Sequence, residues 1–154
     1  MLQGAGISIV QGAGITAVAH AIQLAVAPVF LLSGVGAMLA VLSNRLSRII
    51  DRGRRLEERH AQASAEAAGR IHAELTALSQ RAKLISYAIA CCTVTALLVC
   101  VVIAALFVGA FVSFDYSGLV TYLFVGAMLA LFLGLLTFLR EIFIATARLR
   151  IGVH

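Results

Sequence analysis

The sequence predicts an all-α integral membrane protein with three transmembrane helices, the first two extended into a cytoplasmic antiparallel helical hairpin. Three observations carry this fold class. Hydrophobic residues make up 62% of the 154-residue chain and charged residues only 12%, against about half and roughly a quarter in an average soluble domain. Three long stretches, 1–44, 84–114 and 116–139, contain no Asp, Glu, Lys or Arg. All twelve Lys and Arg fall in two blocks, 45–83 and 140–150. A bilayer core about 30 Å thick needs roughly 20 helical residues, so each uncharged stretch supplies one span.

Residues 1–14 read as a Gly-rich lead-in. Gln3-Gly4-Ala5-Gly6-Ile7-Ser8 recurs as Gln11-Gly12-Ala13-Gly14-Ile15-Thr16. Each glycine weakens a helix by about 1 kcal/mol relative to Ala, which points to a flexible or interfacial segment. With no basic n-region before a compact apolar core, no cleavable signal peptide is expected. The first span covers 15–43. Pro28 removes the hydrogen bond to the Leu24 carbonyl, so a kink is expected. His20 and Gln23 stand one turn apart near the outer end. They form a candidate intramembrane polar site, although the headgroup region accommodates a neutral imidazole equally well.

Residues 44–83 form the basic arm. Leu42, Leu46, Ile49, Gly53 and Leu56 repeat at 4-3-4-3 spacing, and Ile71, Leu75, Leu78, Ala82 and Ile85 do so again. Two such seams joined by the Ala-rich, polar stretch 61–70 predict two helices packed as an antiparallel hairpin. Beside the seam, Arg45, Arg48, Arg52, Arg55 and Arg59 share one helical face at 3-4-3-4 spacing. That stripe can anchor headgroups, bind anionic lipid, or ring the mouth of an oligomeric pore. Asp51 lies three residues from Arg48 and four from Arg55. An arm ion pair among Asp51, Arg48 and Arg55, with the Asp buried, would lock the arm's rotation.

The second span covers 84–111, an outer loop 112–118, the third span 119–139 and a cytoplasmic tail 140–154. Gly126, Ala130 and Gly134 form a small-residue stripe of the kind that lets helix backbones approach. Nine of the twelve basic residues follow span one, and the outer loop has none. The positive-inside rule therefore expects the N-terminus outside and the C-terminus in the cytoplasm.

The same residues bound the chemistry. Cys91, Cys92 and Cys100 lie in an apolar run without a CxxC pair, and read as small hydrophobes. His60 and His72 lie on opposite arms and could approach in the expected hairpin, but lack further ligands for a metal. No HExxH or Ser-His-Asp pattern occurs, so neither an enzyme nor a cofactor is expected. Basic residues without interleaved aromatics do not resemble a single-strand nucleic-acid binder.

Ala27-Pro28-Val29-Phe30-Leu31-Leu32-Ser33-Gly34, the run Arg45-Leu46-Ser47-Arg48-Ile49-Ile50-Asp51-Arg52-Gly53-Arg54, and Arg81-Ala82-Lys83-Leu84-Ile85 together carry a resemblance. The chain resembles the DUF2721 family of uncharacterised bacterial membrane proteins over roughly 17–145. The resemblance implies a multi-pass protein of the bacterial inner membrane and carries over no catalytic residue. The expected partners are the bilayer, anionic lipids and further copies of the chain, with no nucleic acid. The functional expectation is a homo-oligomeric scaffold or pore-like assembly with an arginine-lined cytoplasmic face. The alternative is an accessory or regulatory subunit that binds anionic lipids or a partner protein through the hairpin.

Overall fold

The computed structural model describes residues 2–60, 64–109 and 117–149, with side chains at 15–16, 18–60, 64, 67–109 and 117–146. Helix α1 runs Leu2–His60, α2 runs Ala65–Gly109 and α3 runs Ser117–Leu149. No strand occurs among the described residues. The expected outer loop lies mostly outside them, as do residues 150–154 of the tail.

The helices are longer than the spans alone require. α1 starts at Leu2, so the Gly-rich lead-in, expected to be flexible or interfacial, lies within a helix. Once a helix is nucleated, propagation adds one hydrogen bond per residue, and no proline intervenes before Pro28. Pro28 itself is buried within α1, and the helix continues on both sides of it. α1 closes with Arg59 and His60 in its last turn, where cations complement the carbonyl end of the helix dipole. At the start of α2, the Ser64 carbonyl accepts the Ala68 N–H at 2.9 Å, with Ser a favoured N-cap residue. α3 passes through the position where a tail was expected at 140. Residues 140–149 contain neither Gly nor Pro to stop it.

The chain forms two compact units. The first comprises Met1–Gly36 with Val94–Leu129, the second Ala37–Thr93 with Ala130–His154. The first unit's interior is built from small and β-branched side chains: Ala21, Ala25, Val35, Val99, Val102 and Ala127, with Thr95 among them. The Thr95 hydroxyl donates to the Ala127 carbonyl at 3.3 Å. This bond meets a hydroxyl's need for a partner away from water.

The second unit's interior holds Leu42, Ile49, Ala77, Leu78, Ile85, Ala88 and Cys92. Every position of the two apolar seams, from Leu42 to Leu56 and from Ile71 to Ile85, is buried or half-buried there. Here α3 packs tightly against α2. A Cβ added at Gly134 would stand 3.1 Å from the Cys91 Cβ and 3.5 Å from the Ala88 carbonyl. Glycine at 134 is what permits that approach.

Most of the apolar surface faces outward. In the most apolar stretch of α1, α2 and α3 only 17%, 22% and 11% of the residues are buried inside the protein. Phe30, Leu97 and Leu119 are more than half exposed. Apolar surface on this scale marks a membrane or partner contact rather than a water-facing one. All three helices are long and apolar enough to cross a membrane, which suggests a multi-pass membrane protein.

Candidate functional site

The second unit contains a carboxylate with no solvent exposure. Ala127, Gly134 and Glu141 follow one another at seven-residue steps on α3, and all three are buried. The last fully buried position of α3 among the described residues is thus an acid. Arg81 of α2 directs Nε and Nη2 at Glu141 Oε1, at 3.1 and 2.8 Å. Arg45 of α1 brings Nη1 to within 3.1 Å of Glu141 Oε2. That second contact is an ion pair without hydrogen-bond alignment, so Oε2 accepts no hydrogen bond among the described residues. The Arg45 guanidinium also lies 5.3 Å from the centre of the Phe138 ring, one turn before Glu141, within range of a cation–π attraction.

Energetics explain why this arrangement takes two arginines. Moving an ionised carboxylate out of water costs several kcal/mol, recovered only by close, well-formed partners. A forked guanidinium supplies two charge-assisted bonds in one geometry. Arg81 and Arg45 retain 24% and 33% of their side-chain exposure while Glu141 retains none. The acid is sealed and the bases keep one side open. One residue thereby fixes α1, α2 and α3 together within the second unit.

Seven residues further along α1, and seven back along α2, a weaker version occurs. Arg52 directs Nε and Nη2 at Glu74 Oε1, at 3.1 and 2.6 Å. These side chains are 67% and 40% exposed, which places the pair among those worth no more than about 1 kcal/mol.

The arginine stripe divides accordingly. Arg48, Arg52, Arg55 and Arg59 line one groove of about 470 Å³ with Asp51, Leu56 and Glu74. Arg45 instead turns to Glu141 and Phe138. The expected Asp51 lock is corrected: Asp51 is exposed, and no ion pair joins it to Arg48 or Arg55 among the described residues. On a hydrated helix face, side-chain entropy and water outweigh a three- or four-residue charge pair. The buried acid opposed by two arginines is Glu141. The sequence signal for it was present, since the Gly126-Ala130-Gly134 stripe continued by seven residues reaches 141. Treating residue 140 as the start of a tail concealed it.

The remaining expectations fall elsewhere. Gly134 is buried against α2, whereas a Cβ at Gly126 would meet Leu98 Cδ1 at an ordinary 3.9 Å, and Ala130 is half-buried. His20 and Gln23 are both exposed on α1. His60 and His72 are exposed, and no group of three candidate metal ligands occurs among the described residues.

No curated protein and no solved structure matches the chain. A family model does, over residues 25–151, and its description is "Protein of unknown function (DUF2721)". The match takes in Pro28, Arg45, Arg81 and Glu141, and leaves out the N-terminal repeat, His20 and Gln23. Covering most of the length, it establishes that the chain belongs to the DUF2721 family.

Proposed function

We propose that this is an accessory membrane subunit without catalytic activity of its own, which docks an acidic protein segment through a basic helical arm. In this reading the N-terminus lies outside a bacterial inner membrane and the C-terminus in the cytoplasm. Beyond the bilayer α1 and α2 continue as an antiparallel hairpin. The opposed seven-residue steps that relate Arg45 and Arg81 to Arg52 and Glu74 support that pairing.

The observation that carries the reading is the groove of four arginines against two acids. Arg59 stands fourteen residues beyond Arg45, which is roughly 20 Å along a helix. A charge that far from a lipid surface is screened, because the Debye length is about 8–10 Å at cellular ionic strength. Headgroups therefore satisfy the base of the stripe and leave its far end to another partner. A photo-reactive amino acid at Leu56, activated in native membranes, tests this. A crosslinked protein with an acidic contact segment, lost when Arg48, Arg55 and Arg59 become Glu, is expected. A crosslink indifferent to that charge reversal contradicts the reading.

A second reading, a homo-oligomeric scaffold or pore, draws on a different observation. Gly34 and Gly36 are exposed on α1, with nothing within 4 Å of an added Cβ, and Ser33 and Ala37 are exposed beside them. Small residues turned outward let a second backbone approach closely in lipid. Particle mass and symmetry in detergent separate the two readings. A ring with a central axis favours the assembly, and a monomer removes it.

A further inference from the structure

We infer that the junction of Arg45, Arg81 and Glu141 binds the phosphodiester of an anionic phospholipid. This rests on the membrane placement proposed above and concerns a cluster that shares only Arg52 and Glu74 with the distal groove. Arg45 ends the uncharged run 1–44, Arg81 and Lys83 precede the uncharged run 84–114, and Glu141 with Arg140 follows the uncharged run 116–139. The structure brings all three boundaries into one cluster. In a bilayer that is headgroup depth.

The cluster is prepared for an anion. A guanidinium carries five N–H donors. Arg81 spends two of them on Glu141, and the Arg45 guanidinium meets Glu141 through Nη1 alone, as an ion pair at 3.1 Å. Both are held in place, Arg45 by Phe138 and Glu141, and Arg81 by its fork. They open on a cavity of about 510 Å³ shared with Arg52, Glu74, Leu78 and Ala145. Three arginines against Glu74 and the buried Glu141 leave one positive charge, which a singly charged phosphodiester balances. Ala77, Leu78 and Ala145 supply apolar surface beside the charge, as an amphiphile requires. A zwitterionic phosphocholine brings a cation into the same space and is disfavoured.

The test is native mass spectrometry of the full chain released from detergent, with Arg48, Arg55 and Arg59 replaced by Gln so that the distal groove is silent. The probes are phosphatidylglycerol, phosphatidylcholine and inorganic phosphate. One phosphatidylglycerol retained per chain is expected, about fivefold more strongly than phosphatidylcholine, on the scale of one basic contact near a lipid surface. Arg45→Gln lowers that retention by a similar factor. Equal retention of the two lipids overturns the inference, and this comparison needs no substitution in the cluster. Undiminished phosphatidylglycerol binding by a folded Arg45→Gln protein overturns it too. Displacement of the lipid by inorganic phosphate would assign the site to a soluble anion instead and overturn the lipid claim. Loss of the Leu56 crosslink with the lipid adduct intact would sink the docking role and leave this inference standing.

Discussion

In the first unit the contact between α2 and α3 rests on a hydroxyl and a loose glycine: Thr95 donates to the Ala127 carbonyl, and Gly126 has 3.9 Å of room before Leu98. In the second unit the same two helices meet across a tight glycine and a charge, Gly134 against Cys91 and Glu141 under Arg81. Helices surrounded by lipid gain little from burying apolar surface, so close packing and interhelical hydrogen bonds must hold them. A buried ion pair costs too much to serve where no polar surroundings relieve it. Glu141 lies where the uncharged stretches end, and its arginines keep one side open. The contrast teaches that one pair of helices uses modest, distributed contacts in its apolar portion and a single strong fastening where charge begins.

The comparison is most severely tested at Glu141. Glu141→Gln should lower stability by about 2–3 kcal/mol, less than the roughly 3–5 of a wholly buried pair because the arginines stay partly hydrated. Unfolding in detergent followed by circular dichroism measures this, and a change near zero would remove the fastening. The two glycines come next, because the same substitution should have opposite signs. Gly134→Ala overpacks against Cys91 and should cost about 1–2 kcal/mol. Gly126→Ala meets only ordinary contact and should be neutral or stabilising by up to about 1 kcal/mol. Equal shifts in the melting of the two variants would erase the distinction between the units.

Smaller effects are expected further out. Thr95→Val keeps the shape of the side chain and removes the bond to Ala127, at a cost of about 0.6 kcal/mol, the average for such bonds between membrane helices. Asp51→Asn should change stability by less than about 0.5 kcal/mol, as exposed substitutions do. A large loss there would restore the arm lock to Asp51.

The three helices were legible because charge-free stretches are a statement about solvent that needs no partner. The seams from Leu42 to Ile85 were legible for a related reason: apolar residues at alternating three- and four-residue steps mark one face of a helix whatever covers it. Glu141 was not. Its role depends on Arg45 and Arg81, which lie 96 and 60 positions away in the chain. A lone Glu beside Arg140 looks the same in a solvated tail and in a buried cluster. Asp51 misled in the opposite sense, since its neighbours at 48 and 55 were local and visible. Local spacing shows which charges share a helix face. It does not show which of them lose their water, and that decides which pairs matter.

The most direct test of the Glu141 fastening is a double-mutant cycle on Arg81→Gln and Glu141→Gln, each read by thermal unfolding of the purified protein in detergent. Residues that share a buried ion pair couple by about 0.5–3 kcal/mol, and the two-donor geometry places this pair toward the upper end. The double variant should then be little worse than either single one. If the two losses instead add to within about 0.5 kcal/mol, Arg81 and Glu141 act independently and the three helices are not held together at this residue.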